Sequence, residues 1–540
     1  MVKERRDERL RQPHCAPALL TALIVSFAAT EAAFSDTTTT SPPSDPGRRN
    51  ENHAAPARVF PATAAAYPTT TSPPSDPDRR NENHAAPARV FSATAAGSAS
   101  SVLPPDSSAA VAALVTAVSE AEISASMKRL GEFFTRHTYS EKLDPADSMG
   151  LEGEDRKAAK GIGAARRWVA QKLRSASPRL VVSFDTHRVA PRPPRLPEEL
   201  TLHNVIAVLP GATPEGRKRS FLISAHYDSV SADADGTIHW DRFDRPAPGV
   251  NDDGSGTAVL LEAARVLSSR DYDANLIFAV FTGEEQGLVG SALYARKARE
   301  SGMRIDGVLN NDIVGGEIGG DGRVDNRTLR VFSEGPEDSP SRELARLAGE
   351  LAGKYLPSLA LDLVFRHDRF GRGGDHISFN QVGYAGIRFT VSNEDYSRQH
   401  TVRDTFDAVS PAYAARVARA NIAVLADLAL APSAPVVTDD RGNPTIDRGE
   451  SGYDARLRWK SGGETGDLAG YLVLARETTA PFWQRTYWAG KADQFVLPGV
   501  PIDRTTFGVR AVDREGHMSL ASVYIYPARP RPDYTELPLN

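Results

Sequence analysis

The sequence predicts an α/β fold: a mostly parallel mixed sheet with helices on both faces, followed by a small all-β sandwich at the C-terminus and preceded by a disordered N-terminal spacer. Three observations lead to this prediction. Apolar strands alternate with amphipathic helices through the middle of the chain, short strands separated by turn residues occupy its last hundred or so residues, and a repetitive stretch rich in Pro, Ser and Thr lies near its start.

The first 35 residues have the features of a secretory signal peptide. Basic residues precede an apolar run from about Ala16 to Ala29, and small residues follow that run. We therefore expect a secreted or periplasmic protein with no stable membrane span in its mature form, because the apolar run is short for a bilayer. An uncleaved anchor is the alternative. The only cysteine, Cys15, precedes the run, so the mature chain would have no disulfide.

Residues 36–105 are expected to form a spacer without a fold of its own. A segment that begins "TSPPSDP" at Thr40 recurs almost verbatim at Thr71, and both copies have few residues to bury. A segment of this composition cannot offset the entropy of ordering by burying apolar surface. We assign no metal role to His53 and His84, which recur with the repeat.

Residues 106–432 are expected to form the α/β domain. The predicted strands are "HNVIAVLPG", "SFLISAHYDSV", "NLIFAVFTGEE", "GVLNNDIVG" and "YAGIRFT", and the predicted helices are "GIGAARRWVAQKLRS", "GTAVLLEAARVLSSR", "GSALYARKARES" and "SRELARLAGELAGKYL". Residues 109–135 also show helical spacing of apolar side chains. Alternation of this kind is typical of a largely parallel sheet, in which ligands bind at the carboxyl ends of the strands.

Residues 433–540 are expected to form the β-sandwich. Segments such as "AGYLVLARET" and "TFGVRAVDREG" read as short strands at even spacing, with turn residues between them. The region loosely resembles a fibronectin type III module, with Trp459 and Tyr471 as core residues. Binding to a surface or polymer and simple covering of the α/β domain are both open as its role.

The charge of the chain excludes one class of partner. Lys and Arg number 64 and Asp and Glu number 69, for a formal charge of −5. A chain without a basic surplus lacks the electrostatic footprint of a nucleic-acid-binding protein, so we expect no nucleic-acid partner. The sequence does not predict an oligomeric state.

Ionisable residues follow the predicted strands of the α/β domain. They are His226 and Asp228, Asp252 and Asp253, Glu284 and Glu285, Asp312, and His400. Because the carboxyl ends of parallel strands meet at one edge of a sheet, we expect these side chains to converge in a cleft.

The adjacent acids Glu284 and Glu285 indicate a bound cation. Two neighbouring carboxylates repel each other, and a divalent metal removes that cost. Histidine and carboxylate ligands together suit zinc, which keeps positions open for water in catalytic sites. One acid of such a pair can bind metal while the other acts as a general base toward the water. Each residue alone also has an ordinary interpretation, as a helix cap or a solvated surface group.

Six motifs carry a resemblance to a known family. They are "AHYDS", "PGVNDDGSG", "FTGEEQGLVGS", "NNDIVG", "GGDHISFNQVGYAGIRF" and "HTVRDT", in this order between about residues 125 and 430. They resemble the di-zinc aminopeptidase family typified by secreted bacterial leucyl aminopeptidases, to which glutamate carboxypeptidase and glutaminyl cyclase are related. The resemblance implies the zinc exopeptidase type of α/β fold.

The resemblance also implies roles for individual residues. Two zinc ions per chain would be bound by five residues: His226 and Asp312 on one ion, Glu285 and His400 on the other, and Asp252 between both. Glu284 would be the general base, and Asp228 would orient the His226 ring. Asp253 would support the Asp252 loop or cap the following helix. Some family members have a Tyr before the last His, and this chain has Gln399 there.

The function implied is that of a secreted zinc-dependent exopeptidase. It would hydrolyse the N-terminal residue of peptides through a hydroxide held by the two zinc ions, and its partners would be peptides with a free N-terminus. Glutaminyl cyclase-like or carboxypeptidase-like activity on the same scaffold is one alternative. A binding module that has lost catalysis is another.

Overall fold

A computed structural model describes residues 89–91, 105–143, 160–463 and 466–525. The predicted signal peptide, most of the predicted spacer, Cys15 and the two repeat histidines lie outside the described residues, so export of the chain stays a prediction. Within the described ranges no single helix is long and apolar enough to cross a membrane. The helices Ala109–Thr116 and Glu120–Gly131 meet that test only together, across a 50° bend.

Eight α-helices lie in the described residues. They are α1 (Ala109–Thr116), α2 (Glu120–Gly131), α3 (Gly161–Ala176), α4 (Gly254–Leu267), α5 (Val289–Glu300), α6 (Pro340–Tyr355), α7 (His376–Gln381) and α8 (Pro411–Leu430). Short 3₁₀ turns occur at Ser140–Leu143, Gly216–Lys218 and Phe406–Ala408. The helical spacing over 109–135 therefore corresponds to two helices, because the chain turns at Ala117 after α1 and starts again behind the cap of Ser119.

Sixteen strands accompany these helices in the described residues. In the α/β part they are β2 (Val181–Val189), β3 (Leu200–Leu209), β4 (Ser220–His226), β5 (Asn275–Phe281), β6 (Ile305–Asn311), β7 (Thr328–Ser333), β8 (Ala360–Val364) and β9 (Gly386–Val391). The others are β1 (Arg89–Phe91), β10 (Ile446–Asp447), β11 (Ala455–Arg458), β12 (Leu468–Glu477), β13 (Arg485–Gly490), β14 (Gln494–Leu497), β15 (Thr505–Asp513) and β16 (Ser522–Val523). Strand β1 lies within the predicted spacer and pairs in parallel with β13, which corrects the expectation of a wholly structureless segment.

The α/β part is built on one eight-stranded mixed sheet. Its order is β2-β3-β5-β4-β6-β9-β7-β8. The four central strands run parallel to one another; they are β5, β4, β6 and β9. Strand β3 joins β5 antiparallel, and β7 joins β9 antiparallel. The carboxyl ends of the four parallel strands therefore meet at one edge, as the predicted fold class requires.

Helices cover both faces of this sheet, and strand alternation assigns each side chain to a face. In β4, Phe221 and Ile223 join the cluster that contains α4 and α8, whereas Leu222 joins the cluster that contains α5. Successive residues of a strand point to opposite faces, so a strand buried on both sides is apolar at nearly every position. All seven residues of β4 are buried.

The C-terminal strands form two sheets that share one core. The order is β1-β13-β12-β15-β16 in one sheet and β10-β11-β14 in the other. Leu457 of the smaller sheet and Val473 of the larger one belong to the same buried cluster. Trp459 and Tyr471 lie in that cluster with their rings 5.5 Å apart, as predicted. The resemblance to a fibronectin type III module stays a prediction.

Polar contacts fix the C-terminal β-domain to helices α6 and α8. Trp483 Nε1 donates to Glu343 Oε2 of α6 at 2.9 Å, and the Glu343 side chain is 1% exposed. The backbone N–H of Met518 donates to Asp427 Oδ1 of α8 at 2.9 Å. Buried polar groups of this kind stabilise an interface only while each has its partner.

Removal of the Trp483 N–H should loosen this interface. In Trp483→Phe the Glu343 Oε2 atom loses a buried donor, which costs about 1–3 kcal/mol in the free energy of unfolding. Chemical denaturation of the full chain measures this loss. Trp488→Phe is the matched control, because Trp488 Nε1 is buried without a hydrogen-bond partner among the described residues. Equal losses in the two variants would contradict the role of the Trp483–Glu343 bond.

Asp427 should make stability depend on pH. Burial raises the pKa of Asp427 to about 6 from an ordinary 3.8, although the Met518 N–H and the charge of His517 act in the opposite direction. The folded state therefore binds the proton more tightly than the unfolded state, so this group lowers stability as pH rises from 3.8 through about 6.

Asp427→Asn removes this cost and keeps an acceptor for Met518. A pKa shift of one unit corresponds to about 1.4 kcal/mol. The free energy of unfolding of the variant should therefore exceed that of the wild type by at most about 3 kcal/mol above pH 6, and by less at lower pH. Unfolding of both proteins at a series of pH values measures the difference. A constant difference between the two proteins at acid and neutral pH would refute the prediction.

Candidate metal centre

The parallel strands deliver the predicted site residues to one edge of the sheet. His226 is the last residue of β4. Glu284 and Glu285 lie in the turn that follows β5, Asp312 follows β6 directly, and His400 lies in the loop after β9. Strands β4, β5, β6 and β9 are sheet neighbours, so residues far apart in sequence come together here.

The loop before α4 carries Asp252, and its neighbour Asp253 anchors it. Asp253 is the N-cap of α4, where its Oδ1 accepts the N–H of Gly256 at 2.8 Å. Its Oδ2 accepts the N–H of His226 at 3.1 Å. The Asp252–Asp253 peptide bond is cis. The expectation that Asp253 caps the helix is confirmed, and the same carboxylate ties the loop to β4.

The first donor group consists of His226, Glu284 and Asp312. One ligand atom from each lies within 4.8 Å of the others. His226 Nε2 is 3.8 Å from Asp312 Oδ1 and 3.9 Å from Glu284 Oε2. The His226 and Asp312 side chains are almost fully buried, and the Glu284 side chain is 13% exposed.

The second donor group consists of Asp252, Glu285 and His400. His400 Nε2 is 3.1 Å from Glu285 Oε2 and 3.1 Å from Asp252 Oδ2. The other oxygen of Asp252, Oδ1, is 3.3 Å from His226 Nε2 in the first group. Asp252 thus lies between the two histidines and presents one oxygen to each. The His400 side chain is 28% exposed, so the site opens to solvent near His400 and Glu284.

The chemistry and spacing of these donors fit zinc. Ligand atoms at about 2.0–2.1 Å from a tetrahedral zinc ion lie about 3.3 Å from one another. His400 Nε2 has both acids of its group at 3.1 Å, whereas His226 Nε2 has one oxygen of Asp252 at 3.3 Å and the two acids of its own group at 3.8 and 3.9 Å. His226 Nε2 is buried and makes no hydrogen bond among the described residues, and the same holds for Glu285 Oε1. Buried polar atoms without partners are rare, and a cation would satisfy both.

The electrostatics of the site also indicate a cation. Burial raises the pKa of Glu284 well above its ordinary value; the charge of His226 opposes this, and the charges of Asp312 and Glu285 add to it. Burial alone would lower the pKa of His226, but the charge of Glu284 and the nearby carboxylates of Asp228, Asp252 and Asp312 outweigh it and raise that pKa. A bound divalent ion would replace protons as the counter-charge.

The predicted role of Asp228 in orienting the His226 ring stays a prediction. His226 Nδ1 lies 3.2 Å from the backbone carbonyl of Asp228 and 3.6 Å from its carboxylate. The carboxylate also accepts the backbone N–H groups of Glu284 at 3.4 Å and Glu285 at 3.2 Å. Strand β4 ends at His226, so strand alternation no longer sets the direction of Asp228. Its side chain holds the Glu284–Glu285 turn.

Two supporting residues were not predicted. Arg388, 0% exposed, places Nη2 3.2 Å from Asp312 Oδ2 and donates from Nη1 to Asp368 Oδ2 at 2.9 Å. Asp404 accepts the N–H groups of Asn251 at 2.8 Å and Asp252 at 2.9 Å. Arg388 could have been found from the sequence, because it is a charged residue inside the apolar segment "YAGIRFT". For Asp404 the only sequence signal was its position in the motif "HTVRDT".

Gln399 occupies the position where some relatives have a tyrosine. Its Nε2 donates to Asp252 Oδ2 at 2.9 Å, and its Oε1 accepts from Arg372 Nη1 at 2.7 Å. Tyr396 is 61% exposed on the rim of the site. Asp375 stands at the N-cap position of α7 without a side-chain capping bond, so its carboxylate does not serve as a cap.

Comparisons with known proteins identify the family of this chain. The model of peptidase family M28 matches residues 204–425. A probable zinc metalloprotease of Pyrenophora tritici-repentis is 34% identical over 448 residues, which are 77% of this chain and 86% of that protein. A probable zinc metalloprotease of Pyricularia oryzae is 35% identical over 442 residues, 75% of this chain and 82% of that protein.

A solved structure, the LapA aminopeptidase of Legionella pneumophila, aligns with a TM-score of 0.45 and 18% identity over 61% of this chain and 77% of that chain. The family assignment rests on the family model and the two fungal relatives, together with the donor set described above. The chain therefore belongs to peptidase family M28 and is a zinc metallopeptidase.

Proposed function

We propose that this metallopeptidase is an aminopeptidase that releases the N-terminal residue of peptides and binds two zinc ions. The observation that carries the proposal is the position of Asp252, whose two oxygens face His226 and His400 at 3.3 and 3.1 Å. Each histidine belongs to a separate donor group with its own acid, Asp312 or Glu285. A carboxylate between two such groups is suited to bridge a pair of ions.

Glu284 is the proposed general base. Zinc held by the two donor groups would supply a Lewis acid for the scissile carbonyl and would lower the pKa of the attacking water. The Glu284 side chain lies beside the first donor group and reaches the solvent-facing side of the site. A carboxylate in that position can take a proton from the attacking water and return it to the leaving amine.

The surplus of acidic groups supports selection of the N-terminus. Asp228 is fully buried and contacts the Glu284–Glu285 turn, in addition to Glu284 itself and the three acids proposed as ligands. A positively charged α-ammonium group is attracted to such a site, and a terminal carboxylate is repelled. The peptide would therefore enter with its amino end toward the acids.

Arg372 favours a second candidate, a carboxypeptidase-like orientation. Its guanidinium is bonded to Gln399, which contacts Asp252, so a cationic group lies one residue away from the proposed ligands. A C-terminal carboxylate could pair with it. Two blocked peptides separate the candidates: an aminopeptidase cuts a C-amidated peptide but not its N-acetylated twin, and a carboxypeptidase does the reverse.

Glu284→Gln should abolish turnover and leave zinc bound. Loss of general-base catalysis lowers kcat by about 100-fold or more, since the amide cannot accept the proton. Release of the chromophore from aminoacyl-anilides gives the rate, and metal analysis of the same sample gives the zinc content. A variant that loses zinc would show Glu284 to be a ligand, as its place beside His226 and Asp312 also permits, and would refute the assigned role.

His400→Ala should remove one of two zinc ions. His400 belongs to the second donor group alone, so the first group keeps His226 and Asp312 and its ion. Elemental analysis after dialysis measures the zinc content of each protein. His203→Ala, which changes a histidine on β3, is the control and should keep the wild-type content. A single ion in the wild type would contradict the two-zinc proposal.

A further inference from the structure

The segment between β8 and α7, residues 365–375, supports the metal site from behind, and we call it the 365–375 loop. Asp368, 0% exposed, binds Arg388 Nη1 at 2.9 Å, and Arg388 Nη2 lies 3.2 Å from Asp312. The position of a proposed zinc ligand thus depends on a carboxylate from this loop through one buried guanidinium.

The same loop reaches the second proposed zinc ligand by another route. Arg372 Nη1 donates to Gln399 Oε1 at 2.7 Å, and Gln399 Nε2 donates to Asp252 Oδ2 at 2.9 Å. A displacement of the loop would therefore move Asp312 and Asp252 together.

The loop is rich in glycine, and side-chain bonds such as those of Arg369 to Asp368 Oδ1 at 3.0 Å and to Glu394 Oε2 at 2.5 Å hold it. It contains Gly371, with φ of 65°, and the pair Gly373 and Gly374. Glycines leave the backbone many accessible conformations, so an ordered loop of this composition needs contacts from outside. Phe370 in its middle is 85% exposed and gives it little support.

The C-terminal β-domain makes a contact at the start of this loop. The rings of Phe365 and Phe482 are 6.0 Å apart, and Phe482 lies in the connection between β12 and β13. Arg342 and Arg346 of α6 stack on the Phe365 ring at 4.8 and 5.1 Å from its centroid. Phe365 is thus enclosed between two arginines and an aromatic ring from the other domain.

Hydrogen bonds hold the two sides of this contact in place. Arg346 Nε donates to the carbonyl of Pro481 at 2.6 Å. Arg342 Nη2 donates to the carbonyl of Phe365 at 2.7 Å. The backbone next to each ring of the Phe482–Phe365 pair is therefore hydrogen-bonded to the same helix, α6, which holds the two rings next to each other.

We propose that the C-terminal β-domain positions the metal site by holding the 365–375 loop through the contact of Phe482 with Phe365. Phe482 is a positioning residue that acts through Asp368 and Arg372 on Asp312 and Asp252. The part of the test that measures turnover rests on the aminopeptidase activity proposed above. The alternative is a β-domain that only covers the surface of α6, in which case the loop would keep its geometry without Phe482.

The test uses the full-length zinc-loaded protein and three variants. Phe482→Ala removes the ring, Phe482→Leu restores apolar volume, and Trp483→Phe loosens the neighbouring domain contact but leaves Phe482 in place. Three properties are measured for each protein. They are the hydrogen exchange of the amides in residues 365–375, the rate of zinc loss to a chelator, and kcat and KM for an aminoacyl-anilide.

Phe482→Ala should raise amide exchange in the loop by about tenfold, the scale expected for loss of one aromatic pair, and should speed zinc loss by a similar factor. It should lower kcat more than it changes KM, because Phe482 is proposed to act on the position of Asp312 and Asp252 and not on the peptide directly. Phe482→Leu should recover most of each effect. Trp483→Phe should lower the stability of the chain yet stay within about twofold of the wild type in loop exchange and zinc loss.

Unchanged exchange and zinc loss in folded Phe482→Ala would overturn the proposal, and so would equal effects in Trp483→Phe. If Phe482→Ala does not fold, Phe482→Leu decides. A partial increase of amide exchange in Phe482→Leu that is confined to residues 365–375 supports the proposal, and no such increase overturns the proposal. If the wild type releases no amino acid, the aminopeptidase proposal fails, whereas exchange and zinc loss still decide the role of Phe482.

Discussion

The concentration of buried carboxylates at one edge of the sheet is the constraint on which the rest of the site depends. Asp252, Glu285 and Asp312 are each nearly inaccessible to solvent and lie close to two imidazoles. Acids packed this densely in a protein interior are stable only with positive charge among them. Zinc bound at the proposed ligands would provide that charge, so metal binding and the folding of these loops would be coupled.

A second set of acids supports the first set through the backbone. Asp228 accepts the N–H groups of the Glu284–Glu285 turn, Asp253 accepts that of His226, and Asp404 accepts that of Asp252. None of these three is proposed to bind zinc. Each satisfies a buried N–H next to a proposed ligand, so its charge fixes the direction of a loop as well as contributing to the field of the site.

The two structured regions of the chain are less independent than their sequence patterns indicate. The strands after residue 433 have their own core, yet Trp483, Arg510 and Met518 all bond to side chains of helices α6 and α8. Helix α6 also packs beneath the 365–375 loop, through Arg342 and Arg346. A domain attached to this helix has a physical route to the metal site.

The sequence alone determined the fold class, the main central strands and the residues that gather at their ends. A fully apolar strand such as β4 requires helices on both faces, and an acid or histidine directly after it must lie at the sheet edge. The pattern did not reveal β2, whose residues are mostly exposed at the edge of the sheet, or the strands β7 and β8. Their pairing depends on neighbours that are remote in sequence.

Only the tertiary structure decided how the site is supported. Arg388 and Asp404 contact Asp312 and Asp252 from distant segments, and the Asp228 carboxylate accepts N–H groups of the Glu284–Glu285 backbone in addition to lying near the His226 ring. Such contacts follow from the three-dimensional arrangement of loops, which local spacing does not encode. The sequence indicated the groups that would bind a cation. The packing of distant segments determined which other residues hold those groups in place.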